Sequence, residues 1–392
     1  MKNDILRLGV IGLGRAFALM LPTLSRDPRI QMTAAADPRS EARRQFQNDF
    51  GGSVYRDVEE LCRDTHVDAI YIASPHQFHV DHVVLAARNR KHILVEKPLA
   101  LTLADCEKMI EACESAFVYL IVGHSHSFDT PYLKARELIA SGEFGRVRMI
   151  NCLNFTDYMY RPRRPEELDT KQGGGAIFSQ APHQLEVVRI LAGGEVASVR
   201  AKTGVWDESR RTEGAYSAFL TFDNGAFASL SYSGYGHFDS DELCGWIGET
   251  GSKKDPAAYG AARRALARIT TPEAEAELKS RRAYGTTEGA EITPSASDLM
   301  SHNHFGFVVV SCDRADIRPL PDTIMIYGDE TVRHIPLTPP SVPRSEVIDE
   351  LYRAVFLNIP PLHSGKWGMK TLEVCLAILK SSREDREIKM IN

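Results

Sequence analysis

Long apolar runs are absent from this 392-residue chain; the longest are strand-sized, so no membrane-spanning helix is expected. Charge imbalance is small. The 47 Lys and Arg against 52 Asp and Glu leave −5, which argues against nucleic acid or an anionic membrane as partner. Cysteine is sparse and unpatterned: seven residues, odd in number, with no Cys-x-x-Cys. Cys106 and Cys113 share one helical pattern, and the set reads as reduced, packed thiols in a cytoplasm. Metal-ligand spacing is missing too. His124/His126 and His302/His304 each sit two apart, so each pair would share a strand face, but no metal site is expected. An apolar segment follows Met1–Asp4 directly, so no signal peptide is expected. What remains is an ordinary globular composition, 43% hydrophobic and 25% charged, in a chain long enough for two domains with their own cores.

The strongest positive signal is the run from Leu6 to Phe17. A strand-like segment, Leu6 to Ile11, leads straight into Gly12-Leu13-Gly14 and then a helical pattern. Gly12 permits a tight turn, and Gly14 lets the backbone come close to a pyrophosphate. The helix that follows, starting at Arg15 and Ala16, points free N–H groups at the anion. Phe17 stands where this fingerprint usually has Gly or Ala.

Further strand patterns end in polar tips: Ile30 to Ala36 at Asp37, Ala69 to Ala73 at Ser74-Pro75-His76, and His92 to Val95 at Glu96-Lys97-Pro98. Helical stretches of about 39–48, 78–89 and 103–113 separate them. This alternation implies right-handed crossovers and a doubly wound parallel sheet, with ligands beyond the carboxyl ends of the strands. Asp37 is placed for the adenosine ribose hydroxyls, or as a helix N-cap, or both. With His76 and His79, these tips complete the candidate cofactor contacts, and Asp37 favours NAD over NADP. Arg39 could oppose that preference by turning toward a phosphate.

A fifth strand, Tyr119 to Gly123, closes the first domain, placed at 1–125; a helix of about 132–141 follows. Strand signals then succeed one another at about 147–155, 196–205, 215–222, 226–233, 305–311, 323–327 and 331–335. Asp223-Asn224-Gly225 is a hairpin turn. The second domain, 126–392, therefore reads as α+β with an open antiparallel sheet. An insertion near 250–297, rich in Ala, Glu, Lys and Arg, carries a helix-like core from Pro256 to Arg282. It reads as a solvated excursion, with a lid or subunit contact as the alternative. Two helices, about 345–357 and 366–382, are expected to cover a sheet face or dock on the first domain.

Three groups carry candidate chemistry. Lys97 ends a parallel strand on the same rim as the glycine loop, where an amine can take a proton from an alcohol; the plainer reading is a surface lysine. Gly173-Gly174-Gly175 precedes a helix expected to present Ser179 and His183 on one face. His183 is either a proton shuttle or a packed core histidine. Between them, Tyr158, Arg161, Arg163 and Arg164 lie among prolines. The arginines suit a carboxylate clamp, Arg161 and Arg163 sharing a face, or a solvent-facing loop paired with Glu166 and Glu167.

Gly12, Gly14, Asp37, Ser74–His76, Glu96–Pro98 and the Gly173–His183 run, in order and at this spacing, resemble the glucose–fructose oxidoreductase/inositol dehydrogenase (Gfo/Idh/MocA) family over nearly the whole chain. The resemblance implies a Rossmann domain, a C-terminal open sheet and a nicotinamide between them. It also implies Lys97 as catalytic lysine and His183 as its acid/base partner. The family's usual Asp four residues before the His is Ser179 here, which makes a sugar substrate less expected. The segments Arg161–Leu168, Ser179–Gln184 and Ser301–Gly306, with the arginine-rich insertion, are similar to phthalate 4,5-cis-dihydrodiol dehydrogenases. That implies oxidation of a cis-dihydrodiol of an aromatic dicarboxylate to the catechol, with Tyr158, Arg161, Arg163, Ser179 and His183 around the substrate. The alternatives are a sugar or inositol dehydrogenase, a non-catalytic NAD-binding regulator, and a hydrolase using transient NAD oxidation. A homo-oligomer with a small anionic substrate is expected.

Overall fold

The computed structural model describes residues 5–286 and 301–390. The signal-peptide expectation at residues 1–4 and the end of the expected insertion, 287–297, lie outside the described residues. The chain divides into two compact units. The first comprises Met1–His124, Glu277–Ala296 and Val342–Leu372; the second comprises Ser125–Ala276, Ser297–Ser341 and Glu373–Asn392.

The first unit is built on six parallel strands: β1 (Leu6–Ile11), β2 (Ile30–Ala36), β3 (Ser53–Tyr55), β4 (Ala69–Ile72), β5 (His92–Val95) and β6 (Leu120–Val122). Their order is β3-β2-β1-β4-β5-β6. This is the Rossmann order, and the switch point lies between β1 and β4, at whose carboxyl ends Gly12 and Ser74 sit. Every residue of β4 is buried, as helices on both faces require. The short β3 and the helix Val58–Arg63 escape a periodicity reading because three to six residues carry too little pattern.

The first of the two C-terminal helices, Ser345–Leu357, belongs to this unit. Thr23 Oγ1 donates to Pro343 O at 2.6 Å, and Arg29 pairs with Asp349 at 2.6 Å. His363 O accepts from Val122 N at 2.8 Å, extending the sheet edge past β6.

The second unit holds nine strands: β7 (Val147–Phe155), β8 (Val196–Gly204), β9 (Ala215–Phe222), β10 (Phe227–Ser233), β11 (Phe307–Cys312), β12 (Ala315–Pro319), β13 (Thr323–Gly328), β14 (Val332–Pro336) and β15 (Ile388–Lys389). The order is β14-β13-β12-β11-β7-β10-β9-β8-β15. The sheet is mixed and mostly antiparallel. The exception is β7 with β10, which run parallel with Met149 opposite Phe227. Along β9 and β10 buried residues alternate with exposed ones, so one face is covered. The helix Ala181–Ala192 packs on β7 and β10 and is buried at every position, its polar residues His183, Gln184, Glu186 and Arg189 included.

Candidate active site

The glycine loop has the shape an anion cradle needs. Gly12 has φ +89°, and a Cβ there would lie 2.8 Å from the Ser74 backbone nitrogen, so only glycine lets β1 turn this close to the end of β4. Gly14 caps the helix Arg15–Arg26, and a Cβ built on it meets nothing within 4 Å. That open space at a helix N-terminus, beside Arg15 and Ala16, fits a dinucleotide's pyrophosphate.

Asp37 is buried. Its Oδ2 accepts from Leu13 N at 2.7 Å, and its Oδ1 accepts from Arg39 N at 2.8 Å and Arg39 Nε at 3.0 Å. The carboxylate therefore ties the tip of β2 to the glycine loop, and Arg39 is drawn to it. The departure at Phe17 also has a physical reason. Its fully buried ring meets Phe46 at 6.4 Å and, edge-on, Tyr284 at 5.1 Å. Tyr284 comes from the arginine-rich insertion, whose two short helices, Ala261–Leu266 and Pro272–Ser280, precede it. Ala283 and Tyr284 are buried, Tyr284 OH donates to Asp49, and Arg39 Nη1 donates to Tyr284 O at 3.2 Å. At Ala283 and Tyr284 the insertion is thus packed into the first unit rather than solvated.

Glu96 and Lys97 follow β5 and are half-buried. Burial raises the Glu96 carboxyl above the usual range, while the Tyr71 hydroxyl, donating at 2.5 Å, and the Lys97 ammonium pull it back. Lys97–Pro98 is a cis peptide. His79 is buried with Nε2 3.0 Å from Ser74 O and Nδ1 3.1 Å from Pro98 O. Burial pushes it down to about 4 against those carbonyls, so it is neutral near pH 7 and braces the two loops together. Ser74 Oγ is 2.9 Å from His82 Nδ1; beside it Pro75 is exposed and His76 half-buried.

In the second unit the glycines open two short helices, not one. Gly175–Ser179 ends at Gln180, and Pro182 sits in the first turn of the next helix, Ala181–Ala192. Ser179 and His183 therefore do not share one continuous helix face. Ser179 Oγ accepts from Tyr158 OH at 2.7 Å and itself donates to Gly175 O. Arg163 is buried: its guanidinium lies 3.6 Å over the Tyr158 ring, and Nη2 donates to Tyr158 O at 2.7 Å. Arg161 points elsewhere, 39% exposed, with Nε donating to Asp157 at 3.0 Å and Nη1 3.9 Å from Glu249. Arg164 N donates to Glu167 Oε2 at 2.8 Å in a local cap. His183 is buried, edge-on to His126 at 4.8 Å and against Phe305 at 5.2 Å. The sequence offers His126 only as a metal ligand, Phe305 only as part of the Ser301–Gly306 resemblance and Asp129 not at all, because nothing local links three segments so far apart. Among the described residues no group of three or more His, Cys, Asp or Glu is placed to hold a metal, and no helix is long and apolar enough to cross a membrane.

Residues 6–124 match the oxidoreductase family's NAD-binding Rossmann fold, and residues 132–253 match the Gfo/Idh/MocA C-terminal domain. A relative from Comamonas testosteroni, 1-carboxy-3-chloro-3,4-dihydroxycyclohexa-1,5-diene dehydrogenase, is 46% identical over 97% of this chain and 96% of its own. The chain belongs to the Gfo/Idh/MocA oxidoreductase family. A crystal structure of a proposed dehydrogenase from Bordetella bronchiseptica RB50 superposes with a TM-score of 0.93 at 43% identity, covering 98% of this chain and all of that one. Myo-inositol 2-dehydrogenase of Thermotoga maritima is 31% identical over 51% of this chain and 59% of its own. The chain is thus a dehydrogenase with the family's NAD-binding Rossmann domain, similar over nearly its whole length to the Comamonas enzyme.

Proposed function

We propose that this enzyme oxidises a cis-dihydrodiol of an aromatic carboxylate, of the phthalate type, to the catechol. The observation that carries the reading is the pairing of Ser179 with Tyr158 beneath the Arg163 guanidinium. Where the family's polyol enzymes are expected to carry an acid, this chain sets a neutral hydroxyl pair backed by a cation. The identity with the Comamonas dehydrogenase, whose name denotes a carboxylated dihydroxycyclohexadiene, supports it independently.

Residues 1–125 serve the cofactor and 126–392 the substrate in this reading. Bound NAD supplies the hydride acceptor. Gly12, Gly14, Arg15 and Ala16 hold its pyrophosphate; Asp37 stands at the ribose and disfavours a 2′-phosphate; Ser74, Pro75, His76, His79 and Glu96 shape the rim. Lys97 or His183 takes the hydroxyl proton as hydride leaves the same carbon. The resulting ketone tautomerises to the catechol, and aromatisation drives the reaction forward. Arg161, whose side chain is the more exposed of the two, holds a substrate carboxylate, and Arg163 keeps Tyr158 in place. The enzyme acts in the cytoplasm, where its seven free thiols stay reduced, as a homo-oligomer.

A second reading, a monocarboxylated diol, draws on the single carboxyl in the Comamonas enzyme's name and on the inward turn of Arg163. Purified enzyme with NAD, assayed by NADH appearance on the phthalate dihydrodiol, the benzoate-type dihydrodiol and myo-inositol, separates the readings. The expected order of kcat/KM is dicarboxylate, monocarboxylate, inositol. Preference for inositol overturns the dihydrodiol assignment; tight NAD binding with no turnover on any diol supports the regulator alternative.

A further inference from the structure

His126 and Asp129 lie in the second unit and play no part in the reaction as described so far. His126 Nδ1 is 2.6 Å from Asp129 Oδ2, and both side chains are buried. The His126 ring meets the His183 ring edge-on, centroids 4.8 Å apart with the planes 71° from each other. Phe305 packs on both rings, at 5.1 Å from His126 and 5.2 Å from His183. Phe305 is itself fixed: its backbone N–H donates to Tyr132 OH at 2.8 Å, and its ring stacks on Tyr232 at 6.2 Å. The two imidazoles thus form a buried pair on an aromatic floor, with the Asp129 carboxylate against His126.

We propose that Asp129, acting through His126, is a positioning residue that sets the proton affinity of His183. A buried carboxylate in contact with one imidazole favours a proton on the pair. Two imidazolium rings in edge contact repel, so the trio takes up one proton readily and resists a second. One proton shared between two imidazoles leaves one of them neutral as an acceptor. Ser179, the residue four before His183, contributes no charge of its own.

The other titratable groups around the trio have partners of their own. Glu186, one turn beyond His183, accepts from Ser127 Oγ at 2.9 Å. His304, preceding Phe305, has Nε2 2.7 Å from Ile247 O and faces Asp241 at 3.7 Å. The Tyr232 hydroxyl lies 3.3 Å from Thr156 Oγ1. Arg189, two turns along the helix from His183, pairs with Glu195 at 3.5 Å.

This inference rests on the dehydrogenase reading for its catalytic meaning, but its test does not. Asp129→Asn keeps the shape and an acceptor for His126 while removing the charge. The acid limb of the pH profile of kcat/KM is expected to move to lower pH by about 1 unit or more, the usual effect of losing a contacting opposite charge. In parallel, hydrogen–deuterium exchange at the imidazole C2 position, followed by mass spectrometry, reads His126 and His183 directly without turnover. In the wild type the two are expected to titrate apart, one well below the other; in Asp129→Asn the upper one falls. An unmoved acid limb with a uniform loss of rate overturns the proposal. So do two wild-type histidines titrating together near their ordinary value, a measurement that stands even if the variant does not fold. Absence of turnover on any diol in the wild type, with the exchange pattern as expected, overturns the functional reading and leaves the trio intact.

Discussion

The two sets of candidate residues are held by different balances of side-chain and main-chain bonds. In the first unit, side chains brace main chain: Asp37 accepts from the Leu13 and Arg39 N–H groups, and His79 spans the Ser74 and Pro98 carbonyls. In the second, bonds to main chain from Ser179 and Arg163 are joined by a run of side-chain pairs: Tyr158 to Ser179, Arg163 over Tyr158, Arg161 to Asp157, His126 to Asp129. A rim braced through its backbone keeps one shape while neighbouring side chains vary, which suits a cofactor common to a family. A rim built of side-chain pairs changes with each substitution, and that is where substrate choice can diverge within one fold.

If that contrast is right, the first unit breaks catalysis for every substrate and the second breaks it selectively. The largest effect is expected at Lys97. Lys97→Ala should lower kcat by about 10²-fold or more on all diols, the usual scale for a general base, with NAD affinity little changed by fluorescence titration. Near-wild-type turnover removes Lys97 from the chemistry.

The arginine loop sharpens the contrast. Arg161→Ala should lower kcat/KM on a carboxylated diol by roughly tenfold to a hundredfold, the loss of a charge-assisted bond of about 1.5–3 kcal/mol, and change little on a neutral diol. Arg163→Ala should instead cost stability, about 1–3 kcal/mol in denaturant unfolding, from its buried bond and ring contact. Equal effects of the two variants on KM would mean that both forks reach the ligand.

The smallest effect tests the insertion. Tyr284→Phe keeps the ring against Phe17 and loses the bond to Asp49, so stability should fall by about 1 kcal/mol with kcat unchanged. An unchanged melting temperature would show Tyr284 to be solvated, and the insertion would revert to an excursion.

Local chemistry made much of this protein legible in advance. β1, β2, β5, β7 and β9 lie where apolar runs, alternation and turn residues place them, because those signals report backbone conformation and burial over a few residues. Gly12 and the order of polar strand tips were readable for the same reason, and a doubly wound sheet needs little more. The arginine loop was readable as chemistry but not as geometry. Its sequence says that three guanidiniums are present, while burial of Arg163 under its own loop depends on a tyrosine ring five residues back and a carboxylate at Glu275, whose Oε1 accepts from Arg163 N.

Amino-acid order alone determined the element types, the parallel character of the first sheet and the residues able to do acid–base work. Tertiary structure decided the rest. The parallel pairing of β7 with β10, the break at Gln180 between Ser179 and His183, the docking of Tyr284 on Phe17 and the contact of His126 with His183 all join segments that share no local pattern. Such contacts are selected by packing of the whole core, where shape and burial outweigh what any single window of sequence prefers.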